Sequence, residues 1–289
     1  MLRSFKIGKL FGIPLYVHTT FFLLPAWVLL LNSGTGLVNA LFLLLGLTAV
    51  FACVVLHELG HALMARFFGI GTENITLFPI GGVARLRRMS DKPFEEICIA
   101  LAGPAVNLVL AALLAPLALL NILMAVKVGS VLYSPELGLG VALGRLAFWL
   151  WSANVMLLLF NLLPCFPMDG GRVLRALLTL WKGQLRATEI AVRVGLVMAF
   201  FIACLAVPTL SPMPILLAIF VLFAGQMELM GLRQREAQRR AAVFAQPVEA
   251  AVPAEEPPRS NEAFSGVAWD SEYRVWVKWQ NGRPVAYWG

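Results

Sequence analysis

The chain has 289 residues, 60% hydrophobic and only 13% charged, with a mean hydropathy of +0.80. A soluble globular domain carries about a quarter charged residues, so that class is excluded. The net charge of +7 is accounted for by basic loops beside anionic lipid, and with no base-reading motif in the chain, a nucleic-acid partner is excluded too.

Apolar runs near or above the roughly 20 residues that cross hydrocarbon fall at roughly 12–32, 37–67, 96–126, 138–163, 188–207 and 213–232. They predict an all-α polytopic membrane protein of about six transmembrane helices. The first run follows a basic start (Arg3, Lys6, Lys9). It is too long for a signal-peptide core and no small-residue cleavage site follows, so it is read as a retained signal anchor. His18, inside it, is expected to hydrogen-bond a neighbouring helix.

The second run ends on His57-Glu58-Leu59-Gly60-His61. An ionisable side chain at the bilayer centre costs roughly 2.5–3.5 kcal/mol, so such a cluster marks a functional site. Residues four apart lie one turn above each other, which lets His57 and His61 offer imidazole nitrogens to one ion with Glu58 beside the open position. A catalytic zinc takes three protein ligands and keeps a place for water. A third ligand is therefore needed.

Between the second and third runs, residues 71–92 hold β-branched stretches around Gly81-Gly82, the pattern of a hairpin or of an interfacial loop. A hairpin there would offer an edge to extended substrate backbone. Ala102-Gly103-Pro104-Ala105 and Asn107 suit close helix packing, with Gly103 and Asn107 near enough to border a cavity. The fourth run ends in Asn161-Leu162-Leu163-Pro164-Cys165-Phe166-Pro167-Met168-Asp169-Gly170-Gly171-Arg172. Two prolines and two glycines break the helix there, so the segment is able to aim Asp169 across the bundle at the histidines. Helix capping by Asp169 is compatible with that. Asn161 is left to donate a hydrogen bond to a substrate carbonyl or its oxyanion. The dispersed Cys53, Cys98, Cys165 and Cys204 form no thiolate metal pattern.

These motifs, HELGH at 57–61 and NLLPCFPMDGGR at 161–172 with Gly81-Gly82 and Ala102-Gly103-Pro104 between them, resemble the site-2 protease family of intramembrane zinc metalloproteases over roughly residues 10–232. The resemblance implies one Zn2+ per chain held by His57, His61 and Asp169. It makes Glu58 the catalytic acid and base, and Asn161 a substrate-contacting or oxyanion-stabilising residue. It also implies cleavage of single-span membrane proteins, with room for a homo-oligomer or a regulatory membrane partner. A non-proteolytic metal-binding or substrate-binding pseudoprotease is the alternative, and the presence of Glu58 counts against it.

Basic residues set the orientation. With six spans, the N-terminus, the loop after the second run (Arg66, Arg85, Arg87, Arg88, Lys92), the segment after the fourth (Arg172, Arg175, Lys182, Arg186) and the early tail (Arg233, Arg235, Arg239, Arg240) share one side. Both termini are then cytoplasmic, the expected location being a prokaryotic inner membrane. The domains read as 1–232, the six-helix protease; 233–262, a basic juxtamembrane segment and flexible linker; and 263–289, a hairpin turning at Asn281-Gly282. The tail matches neither the CBS pair nor the PDZ domains that many relatives carry. A lone hairpin is marginal in water, so its Trp and Tyr residues are expected to dock.

Overall fold

The structure is a computed structural model that describes residues 4–34, 36–88, 90, 92–128, 138–206, 212–245, 264–270 and 275–288. Its helices are α1 (Leu23–Leu31), α2 (Leu37–Phe67), α3 (Pro93–Val128), α4 (Gly138–Asn161), α5 (Asp169–Lys182), α6 (Gln184–Cys204) and α7 (Met213–Ala245). Among the described residues, α2, α3, α4, α6 and α7 are each long and apolar enough to cross a membrane. The chain is a mainly helical polytopic membrane protein.

The first apolar run is built differently from a single spanning helix. Ile13–His18 is a strand, β2, with Ile13, Leu15 and Val17 buried on one face. A 3-10 turn at Thr19–Phe22 and α1 follow it, giving a shorter apolar helical stretch over Thr19–Leu31. A strand is tolerated in such a run only when neighbours satisfy its backbone. Here β1 (Ser4–Leu10) pairs with β2 on one side and β3 (Thr72–Phe78) on the other.

The sheet order is β1-β2-β3-β4, with β4 covering Gly81–Leu86. Strands β2 and β3 run parallel, with Leu15 opposite Ile75 and Val17 opposite Leu77. Strands β3 and β4 form a hairpin within 71–92, the first of the two readings of that segment. Its turn falls at Pro79-Ile80, and the glycine pair opens β4 instead of making the turn. Ile13, Leu15, Val17, Ile75 and Leu77 pack on Phe51, Val54, Val55, Leu59 and Ala62 of α2, which fixes the sheet against the turns that carry the histidines.

Helices α2 and α3 meet closely at small residues. A Cβ on Gly60 would lie 2.7 Å from the Ala102 carbonyl oxygen, so only glycine permits this crossing. After Asn161 the chain leaves helix for seven residues, with Phe166-Pro167 cis, and re-enters it at Asp169.

The chain divides into two compact units, Met1–Leu229 and Met230–Gly289. In the second, the basic juxtamembrane stretch is helical as far as Ala245. The remainder expected as linker, 246–262, lies outside the described residues. The C-terminal hairpin turns at Asn281-Gly282, with φ of 52° and 73°, the left-handed pair of a two-residue hairpin turn. It gains a third strand: β5 (Gly266–Asp270), β6 (Val275–Gln280) and β7 (Arg283–Trp288) form an antiparallel sheet in that order.

Candidate metal centre

One helical turn of α2 stacks His57 above His61, both buried, with ring centroids 4.7 Å apart. Helix α3 orients them. His61 donates from Nδ1 to the Ile99 carbonyl at 2.7 Å, which fixes the tautomer and leaves the Nε2 lone pair free. His57 Nδ1 meets the Asn107 side-chain amide at 3.1 Å. If His57 gives its Nε2 lone pair to an ion, its Nδ1 proton needs an acceptor. The Asn107 amide oxygen, otherwise buried without a partner, supplies one when the amide is turned.

Asp169 is brought in by the loop after α4. It is the first residue of α5, where Met168 is the cap and makes no side-chain cap bond. Gly170 and Gly171 make this approach feasible. A Cβ on Gly171 would lie 2.6 Å from the Cys165 backbone, and one on Gly170 would strike the Leu162 and Leu163 carbonyls.

The three ligand atoms converge. His57 Nε2 lies 3.1 Å from His61 Nε2, and Asp169 Oδ2 lies 3.4 Å from the first and 3.2 Å from the second. Donors about 2.0–2.1 Å from one tetrahedral ion stand about 3.3 Å from each other. With both Nδ1 atoms protonated, neither Nε2 has a proton to give Asp169 Oδ2, which is buried without a hydrogen bond. A cation satisfies all three. Gly103 leaves room for it, since a Cβ there would overlap His61 Nε2 and sit 2.8 Å from His57 Cε1. The set His57, His61 and Asp169 is able to hold a metal ion, and its nitrogen and oxygen donors suit zinc.

Glu58 is half-buried next to this set and accepts a hydrogen bond at its Oε2 from the Ala84 backbone N–H at 2.9 Å. Because Ala84 gives its N–H to Glu58 and not to β3, the outer edge of β4 faces the carboxylate. Gly82 allows that approach: its Cβ would lie 2.7 Å from Glu58 Cγ.

Asn161 ends α4, half-buried, and makes no hydrogen bond with His57, His61 or Asp169. His18 is not brought to the triad. It bonds Thr20 within its own turn, Nδ1 to Oγ1 at 2.7 Å, and its ring lies 5.0 Å from that of Phe78. The Ile99 carbonyl and the Ala84 N–H went unseen in the sequence, because backbone groups leave no residue signature. Asn107 did leave one, standing four residues after Gly103 on the same helix face.

Comparison with known proteins identifies the family. The family model for Peptidase family M50 matches residues 45–134 and 127–202. A zinc metalloprotease of Methanocaldococcus jannaschii is 32% identical over 228 residues, 79% of this chain and 61% of that protein. A putative zinc metalloprotease of Synechocystis is 36% identical over 211 residues, 68% of this chain and 50% of that protein. This chain thus spans half to three-fifths of the length of those two relatives. The solved structure of a site-2 protease from Methanocaldococcus jannaschii superposes with a TM-score of 0.55 at 32% identity, covering 78% of this chain and 95% of that one. The chain that presents two histidines from one turn of α2 and an aspartate from the start of α5 belongs to peptidase family M50, the site-2 protease family.

Proposed function

We propose that this chain is an intramembrane zinc metalloprotease that hydrolyses peptide bonds in or near transmembrane segments of partner membrane proteins. The observation that carries it is the convergence of three buried ligand atoms beside a carboxylate that is not among them. In this assignment His57, His61 and Asp169 hold the zinc, and Glu58 is the acid and base. Zinc bound there supplies Lewis-acid activation of water and of the scissile carbonyl. Glu58 keeps Oε2 on the Ala84 N–H, so Oε1 takes the proton of the attacking water and passes it to the leaving amine. The Asn161 amide donates to the substrate carbonyl or to the oxyanion formed from it. An unwound substrate segment lies along the outer edge of β4, the last strand of its sheet, which faces Glu58.

The substrates are single-span membrane proteins, the termini are cytoplasmic, and the location is a prokaryotic inner membrane. Residues 1–232 form the protease, 233–262 the juxtamembrane segment and linker, and 263–289 a separate β element. The deciding experiment reconstitutes the full chain in liposomes with a panel of single-span proteins and compares it with Glu58→Gln and with chelator-treated enzyme, while zinc content is assayed. Cleavage should fall by at least about 100-fold in Glu58→Gln, with zinc retained. Bound zinc without cleavage of any substrate would favour a substrate-binding pseudoprotease instead.

A further inference from the structure

Arg175 is the bulkiest of the fully buried side chains among the described residues, 2% exposed, and no step above uses it. It lies in α5, on the helix that opens with Asp169. Its Nε donates to Glu96 Oε1 of α3 at 3.0 Å, Nη2 donates to the same oxygen, and Nη1 donates to Glu228 Oε1 of α7. The guanidinium carbon also lies 5.3 Å from the centre of the Phe166 ring, in the loop that delivers Asp169. An apolar side chain of similar volume often fills such a place at lower cost than a buried ion pair.

The partners suggest why an arginine stands here. Helix α3, which carries Glu96, also orients both histidines through the Ile99 carbonyl and Asn107. Helix α5 carries the third ligand. The guanidinium therefore joins the two parts of the protein that bring the ligand set together, and Arg, unlike Lys, has a planar fork of donors able to hold two carboxylates and an aromatic face at once.

We propose that Arg175 is a positioning residue of the metal centre: through Glu96 and Phe166 it sets where Asp169 stands relative to His57 and His61, and through Glu228 it ties that placement to α7. This rests on the assignment of those three residues as metal ligands.

The test uses full-length wild type, Arg175→Lys, Arg175→Met, Glu96→Gln and the triple variant Arg175→Met/Glu96→Gln/Glu228→Gln, purified in detergent and stripped of metal. Each is titrated with Zn2+ against a competing chelator and with Co2+, whose visible absorption reports ligand geometry, and thermal unfolding of the metal-free forms is recorded alongside. Zinc affinity should fall about 10- to 100-fold in both Arg175 variants, with an altered Co2+ spectrum and a smaller fall in Glu96→Gln. The triple variant, freed of unpaired buried charge, should regain thermal stability but not zinc affinity. Wild-type affinity and spectrum in the Arg175 variants, or affinity that returns with stability in the triple variant, would overturn the proposal. If neither Arg175 single variant folds, Glu96→Gln and the triple variant decide it by the same criteria. A wild type that binds no zinc would overturn the ligand assignment itself, a distinguishable result.

Discussion

Glycine at 103 shows how little space the centre has to spare. A Cβ there would overlap the nitrogen that His61 turns toward Asp169, so Gly103→Ala should lower zinc affinity by more than about 100-fold. Metal content and chelator competition check this, with metal-free thermal unfolding as the control for fold. At this scale much was legible before the fold was known. His57, Glu58 and His61 declare themselves by helical spacing in an apolar run, and Asp169 by the prolines and glycines around it. The groups that orient them are less visible. Ile99 and Ala84 act through backbone atoms, and Arg175 finds its carboxylates 79 residues earlier and 53 residues later in the chain, separations that local pattern does not report.

Among the elements, β4 has the most direct bearing on chemistry. Its Ala84 N–H points out of the sheet to Glu58, and proline is tolerated on an outer edge where the lost N–H is not a ladder bond. Ala84→Pro should therefore leave the sheet and the zinc content intact while kcat falls about tenfold or more, part of what a positioned general base contributes. Steady-state cleavage of a single-span substrate, with zinc assay, measures it. An unchanged kcat would mean that Glu58 needs no help from the strand. The five later apolar runs appear as helices close to where apolar character and length put them, because each satisfies its own backbone. The first did not, since the alternation of Ile13, Leu15 and Val17 within a continuous apolar stretch does not distinguish strand from helix. What decides it is pairing with β3, 60 residues downstream.

For the molecule as a whole, the parallel pairing of β2 with β3 places Ile13–His18 at the same end of α2 as Thr72–Phe78. Lys6 and Lys9 lie on β1 and Arg85 on β4 of the same sheet, with Arg87 and Arg88 directly after it, and the proposed orientation takes this sheet as the cytoplasmic side. Single cysteines placed at Lys6, Arg88 and Arg235 in a background without the native four should all label from the cytoplasmic side of membrane vesicles. Labelling of Lys6 and Arg88 from opposite sides would contradict the proposed topology. Helix α5 bears on hydration. Near its far end Trp181 is 83% exposed and Lys182 follows, a pair suited to the lipid–water boundary. Twelve residues at about 1.5 Å each separate Trp181 from Asp169, so with Trp181 at that boundary the aspartate would lie at most about 18 Å below it however the helix tilts. In a hydrocarbon layer about 30 Å thick, and under the proposed function and orientation, the length of one short helix caps how far the water consumed by each hydrolysis would travel from the cytoplasmic side.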